Sequence, residues 1–334
     1  MKPVYVPHYY KDFRCIAAAC RHSCCIGWEI DVDGEALSRY DGVEGELGVR
    51  LRASIDREAE PPCFVLSEDE RCPFLNRNGL CDLITELGED SLCRICADHP
   101  RFRHVLPDRV ELGLGLCCEA AASLILSQTE PLTIVELPPA LAAGERHASE
   151  AITPLDESAA DLLVLRGRLL AILGDRSVPL FDRIRHMYAL TDIDWAVGAT
   201  ETLASYGGIA ALLRDMERLD PAWDDCLDAL EQLDGDPLRE LDGETECAYE
   251  HLIAYFLYRY MPADDEDWPD AGRTHTAFAV VSAAIIHAVC RAMSPNSLHD
   301  LCNLCEISRM FSSEIEYSEE NLERLMGEVE EALL

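Results

Sequence analysis

The chain has 334 residues, 49% of them hydrophobic, with 63 acidic against 28 basic side chains and a formal net charge of −35. That length can bury one large core or two ordinary ones, and the aliphatic content is too high for a disordered chain. The charge excludes sequence-independent binding to nucleic acid, which needs a basic face to displace phosphate counterions, and it excludes docking on anionic lipid.

In chain order, the first predicted elements are short: a helix over 34–41 and a strand over 62–66. Asn76 to Gly79 is a turn, because Gly beside Asn supplies positive φ. Residues 83–98 read as helix interrupted at Gly88 and stopped by Pro100. Residues 109–116 alternate as a strand, and 118–128 read as helix. After Pro138 and Pro139 a small-residue polar stretch, ALAAGERHASE, serves as a linker. Beyond it amphipathic helices are expected at 155–174, 178–190, 195–219, 221–233, 245–261, 271–293, 297–312 and 318–333, with Asp, Ser and Pro near several starts. The acidic segments Asp234–Glu246 and Ala263–Asp270 read as solvated loops. The expected fold is mainly α. A small cysteine-rich metal-binding domain with short strands occupies 1–130, and an acidic all-helical domain occupies 150–334.

Charge and cysteine follow the same division. Up to Cys118 there are 14 basic and 21 acidic residues, and from Glu119 onward 14 and 42. Eleven of the 16 cysteines lie between Cys15 and Cys118. The N-terminus carries no apolar run of signal-peptide length, and no uncharged apolar stretch has the length of a transmembrane helix. The expected location is therefore the cytoplasm, without membrane or nucleic-acid partners. Disulfides are rare there, and a dense cysteine cluster reads as a metal site.

The spacing is Cys15-x4-Cys20-x3-Cys24-Cys25, then Cys72, Cys81, Cys93-x2-Cys96 and Cys117-Cys118. Thiolates are soft ligands suited to zinc or an iron–sulfur cluster, and closely spaced pairs let one turn supply two of them. Adjacent Cys24 and Cys25 do not readily place both sulfurs on one metal. The competing readings are buried apolar thiols, or a disulfide set in an exported protein. Zinc and iron–sulfur both stay open on spacing alone. Radical enzymes that use S-adenosylmethionine carry Cx3Cx2C, which fails here because Gly27 follows Cys24 at the third position. His22 and His99 stand among the cysteines as alternative ligands. Cys226, Cys247, Cys290, Cys302 and Cys305 read as ordinary core thiols.

The segments Phe13-Arg-Cys-Ile16, Cys24-Cys25-Ile-Gly-Trp-Glu-Ile30, Arg71-Cys-Pro-Phe-Leu75, Gly79-Leu-Cys81, Leu92-Cys93-x2-Cys96 and Pro100-Arg101 together resemble the flagellin lysine-N-methylase family. The resemblance resumes at Tyr255-x2-Tyr258-Arg-Tyr260 and over Phe311–Leu322. It implies methyl transfer from S-adenosylmethionine to lysine side chains of flagellin or another lysine-bearing protein, with a [4Fe-4S] cluster held by N-terminal cysteines and zinc as the alternative. It implies metal ligation by Cys15, Cys20, Cys24, Cys25, Cys72, Cys81, Cys93, Cys96 and Cys117. Three departures stand out. Cys118 occupies a family proline position, and no ligand role is carried onto it. His99 replaces an aromatic. Tyr317 replaces a common His.

Methyl transfer from a sulfonium is an in-line displacement by a neutral amine, so it needs approach geometry, a deprotonated lysine and exclusion of water. Tyr258, Glu314 and Tyr317 are the candidate catalytic residues. Glu314 and Glu316 are two apart and face different sides of a helix. No Gly-rich strand–turn–helix of the Rossmann type is present, so the S-adenosylmethionine pocket has no sequence signature. The alternative function is a non-catalytic zinc- or iron-chelating cysteine-cluster protein.

Overall fold

The computed structural model describes residues 2–138, 141, 152–194, 205–233, 246–261, 270–293 and 300–333. The linker over 142–150, the first ten residues of the helix expected at 195–219 and most of both acidic loops lie outside the described residues. Two compact units interleave in sequence. One comprises Met1–Phe13, Arg103–Cys117 and Ala121–Leu334, and the other Arg14–Phe102 with Cys118–Ala120. The division thus falls elsewhere than at the expected 130–150. The cause is a strand at the N-terminus, β1 (Val4–Pro7), which pairs with chain far downstream.

In the larger unit β1 runs parallel to β5 (Val110–Leu114), with Val4 opposite Val110, and antiparallel to β6 (Ile134–Glu136). The sheet order is β4-β5-β1-β6, where β4 is Arg101–Val105. Every residue of β5 is buried, including Glu111, whose carboxylate pairs with Arg166 at 2.7 Å. Val4, Val6, Val110, Leu112 and Leu137 form the core beside this sheet. Only β5 of these strands has a clear sequence pattern.

Helix α5 (Glu119–Leu126) follows, and then the helical array: α6 (Glu157–Leu173), α7 (Leu180–Leu190), α8 (Tyr206–Arg214), α9 (Ala222–Leu230), α10 (Glu246–Tyr260), α11 (Asp270–Met293), α12 (Leu301–Phe311) and α13 (Glu319–Leu333). The side chains of Asp156, Ser205 and Asp300 accept hydrogen bonds from the first-turn amides of α6, α8 and α12. Those caps are the reason the polar residues ahead of these helices mark their starts. Helix α11 is the hub, packed by α7, α9, α10, α12 and α13. By length and composition it could cross a membrane, contrary to the expectation of no such helix. Within the protein, however, 83% of that apolar window is buried, the setting of a core helix.

The cysteine-rich unit holds α1 (Gly34–Asp41), α2 (Gly45–Ala53), a two-stranded pair β2 (Ile55–Asp56) and β3 (Cys63–Phe64), α3 (Asp82–Leu87) and α4 (Arg94–Asp98). Helix α1 occupies the predicted span. The helix expected at 83–98 is split, with Gly88 at φ +88° between α3 and the next turn. The core contains Ile30, Val32, Tyr40, Leu51, Phe64 and Phe74, together with the thiols of Cys72 and Cys93.

Candidate metal centre and the buried carboxylate cluster

Three local devices gather thiols in the cysteine-rich unit. Residues 25–27 pair with 70–72 through the bridge Ile26–Arg71, and Cys72 N–H donates to the Cys25 carbonyl at 2.8 Å. The Asn76 side-chain oxygen accepts from the amides of Asn78 at 2.9 Å and Leu80 at 3.1 Å. With Gly79 at φ +72°, this closes a turn that lays Cys81 against Leu75. Asp33 caps α1 with one oxygen and accepts the Arg94 amide with the other at 2.7 Å, which fixes the Cys93-x2-Cys96 helix to α1. As a result Cys25, Cys81 and Cys96 pack against the same core that buries Cys72 and Cys93. Cys63, another N-terminal thiol, lies by Glu29 in a surface cleft with Trp28.

All 16 cysteines are free thiols in the structure. Two proton-sharing pairs are present. Hydrogen bonding from Cys24 lowers Cys25 to about 7 against its partial burial, with Ser23 and Arg71 helping. The Cys96 thiol likewise pulls Cys93 below its ordinary value. Burial raises Cys72 to about 12 and also raises Cys81. Among the described residues no three Cys, His, Asp or Glu side chains stand in metal-holding geometry. The donor chemistry nonetheless fits a thiophilic group. Five soft donors share one core, and in each pair one sulfur already tends to the thiolate that ligation requires. Cys25, Cys72, Cys81, Cys93 and Cys96 are the residues that would hold it.

The remaining candidate ligands in this unit form a more exposed neighbourhood. Cys15 and Cys24 are exposed and Cys20 is half-buried. Cys20 Sγ lies 3.2 Å from the His22 carbonyl oxygen and 3.7 Å from Glu119 Oε2. Cys117 belongs to the other unit. His99 sits edge-on to Trp28 at 5.2 Å, and burial, aided by the Arg101 charge, brings it down to about 4. Of the five later cysteines, Cys226 and Cys290 are core thiols, but Cys247 and Cys302 are exposed. The expectation of five core thiols is corrected there.

The three candidate catalytic side chains occupy separate surroundings in the helical unit. Tyr258 is buried, its hydroxyl 3.0 Å from the Leu112 carbonyl and 3.3 Å from that of Tyr5, with Arg166 over its ring at 5.2 Å. Glu314, also buried, accepts the amides of Leu219 (3.1 Å) and Asp220 and lies 3.5 Å from Arg218. Both groups are spent on holding backbone. Tyr317 is 37% exposed, stacks on Arg259 at 5.5 Å and shares a hydrogen bond with Cys117.

Glu316, at the end of the π-helical turn Ser312–Glu316, faces a different set of partners from Glu314. Its carboxylate accepts from the hydroxyls of Tyr255 and Tyr260, each at 2.8 Å, and pairs with Arg259 Nε at 3.2 Å. The Tyr255 hydroxyl is also 2.7 Å from Arg259 and accepts the Leu116 amide at 3.3 Å. Two segments more than fifty residues apart thus form one buried cluster directly before Cys117. Arg259 is the member that residue type alone did not single out. A basic residue inside an aromatic stripe was the available signal.

The chain thus combines a cysteine-rich unit holding two proton-sharing thiol pairs with a largely helical unit. Among curated proteins, the chain is similar to the lysine-N-methylases of Salmonella choleraesuis and Salmonella typhimurium, each 26% identical over 148 and 143 residues. Those matches cover 40% and 39% of this chain and 34% of each relative, so the chain spans about a third of their length. It is also similar to the flagellar biosynthetic protein FliU of Salmonella muenchen, 27% identical over 148 residues, covering 40% of this chain and 81% of that protein. No family model and no solved structure matches the chain.

Proposed function

We propose that this protein methylates lysine side chains of flagellin or a related lysine-bearing surface protein, using S-adenosylmethionine as methyl donor. The observation that carries this reading is the similarity to two lysine-N-methylases and a flagellar protein. The thiol arrangement supports a thiophilic group, iron–sulfur or zinc, held by the cysteine-rich unit. When bound, such a group supplies Lewis-acidic metal and a rigid cross-link between loops.

The residues of the chain then have the tasks of positioning and drying the reacting centre. The lysine must arrive as a free amine with its lone pair in line with the methyl group, and the transfer needs no nucleophile from the protein. Tyr317 has the exposure and the aromatic face to flank a cationic methyl group. Glu316 and Arg259 behind it fix the start of that segment. Tyr258 and Glu314 support the scaffold through backbone contacts.

The test is incubation of the purified protein with flagellin and labelled S-adenosylmethionine, with mass spectrometry of lysine-bearing peptides. Methyl transfer that depends on the protein supports the reading, and its absence with metal-loaded protein overturns it. The second reading, a non-catalytic thiol-metal protein, draws on the full engagement of Tyr258 and Glu314 in structural bonds. It predicts metal uptake without methyl transfer.

A further inference from the structure

Arg183, in the first turn of α7, is 2% exposed and carries more donors than the chain satisfies. Its Nη1 donates to the Leu173 carbonyl and to Glu250 Oε2 at 2.7 Å, and its Nη2 donates to Glu246 Oε1 at 2.6 Å. Among the described residues nothing accepts from its Nε. A buried N–H without an acceptor costs about 1–3 kcal/mol, so this donor points to an oxygen that the chain does not supply.

A cleft opens beside it. Arg183 and His186 of α7, Ala171 and Ile172 from the last turn of α6, and Asp175 and Val178 of the connecting loop enclose about 260 Å³. That is smaller than the roughly 300–1,000 Å³ of sites for drug-sized molecules, and it suits a ligand of amino-acid size. Arg183 and His186 bring N–H donors. Asp175 brings a carboxylate whose Oδ1 accepts the Ser177 hydroxyl at 2.6 Å and its amide at 3.2 Å, which leaves Oδ2 for another partner. The C-terminal end of α6, the negative pole of its dipole, lies at the same cleft and favours a cation there. A simple anion would meet the Asp175 charge, and a simple cation would leave the Arg183 donor unfilled. A zwitterion answers both.

We propose that this cleft binds an α-amino-acid head group, with the carboxylate on Arg183 Nε and His186, the ammonium on Asp175, and an aliphatic chain against Ala171, Ile172 and Val178. The charge of Arg183 is already matched by Glu246 and Glu250, so the ligand carboxylate is held by hydrogen bonds and its own ammonium by the Asp175 charge. Two molecules bring this head group: a free neutral amino acid such as methionine, and the methionyl end of S-adenosylmethionine. The site stands independently of the methylation reading, which it touches only where the second molecule is the occupant.

Equilibrium dialysis of the full chain against labelled L-methionine, and separately against labelled S-adenosylmethionine, tests it. Saturable binding is expected, weakened about tenfold by D175N and by H186A, both at exposed positions, and abolished by V178W, which fills the cleft. Circular dichroism confirms that the variants fold, and Arg183 is left in place because its removal strands the buried Glu250. Methionine that displaces S-adenosylmethionine, with both weakened by D175N, makes the cofactor's head group the occupant. Methionine binding alone makes it a free amino acid, and either result supports the cleft. Binding of both molecules unchanged in D175N, H186A and V178W overturns the proposal and leaves methyl transfer untouched. So does the lack of saturable methionine or S-adenosylmethionine binding in this cleft up to about 1 mM, the upper end of ordinary substrate affinities. Methionine binding that persists in a chain unable to methylate flagellin supports the cleft and overturns the methylation reading alone.

Discussion

Glu316 carries a full set of partners while buried, so its charge is bound up with that of Arg259. Replacing it by Gln leaves the guanidinium without its counter-charge away from water, at a cost of about 3–5 kcal/mol. Urea titration of E316Q against the wild type measures this. Tyr258→Phe is a milder change, removing one hydroxyl from the Leu112 carbonyl for about 1–3 kcal/mol. Methylation per folded molecule is expected to be unchanged in Y258F, and a large loss of turnover with intact stability would return this tyrosine to the catalytic list. At this scale the packing of Cys25, Cys72, Cys81, Cys93 and Cys96 against one core follows from the turns and pairings that their flanking residues encode. The Glu316 cluster was only half legible. Its tyrosines and glutamate have suggestive types, but the arginine that completes it is set by the way α10 meets the π-helical turn, which no local pattern encodes.

Among the elements, the helices were read well where a cap or a proline marks the boundary. The turn at Asn76–Gly79 was read from its own chemistry. Strands β1, β4 and β6 escaped because three to five residues hold too few alternations to stand out. Helix α2 escaped because its sequence, GELGVRLRA, carries two glycines, residues with weak helix propensity. One of them has a packing reason. A Cβ on Gly48 would stand 1.9 Å from the Val43 carbonyl oxygen, whereas one on Gly34, in α1, would meet nothing within 4 Å. Gly48→Ala is therefore expected to destabilise the cysteine-rich unit by about 1–3 kcal/mol, as overpacking does. Gly34→Ala is expected to be close to neutral. Thermal melts of the two variants, run side by side, check the contrast.

Across the whole molecule, burial keeps histidines neutral, among them two in the acidic second half. Burial brings both His251 and His287 down to about 4, and His287 Nδ1 lies 2.9 Å from the Tyr249 hydroxyl. In the unfolded chain these side chains take up protons near 6.5. Between there and about 4 the unfolded state binds more protons than the folded one. Stability is therefore present in full above the unfolded value and is lost as pH falls through that window. Urea midpoints collected from neutral pH down to about 4 should decline, and H287Q should decline less steeply. An identical slope in the variant would show that other groups set the acid limb.

The parallel pairing of β1 with β5 also dictates an order of events during synthesis. Strand β1 leaves the ribosome ahead of both its neighbours, which follow only after all of Arg14–Phe102 has been made. The cysteine-rich segment is thus exposed, with its thiols, while the opening strand still has no partner. Closing so long a loop is slow, because its entropy must be lost before the pairing is gained. An early-emerging thiol segment therefore has time to form its own core before the strands that flank it in sequence are paired.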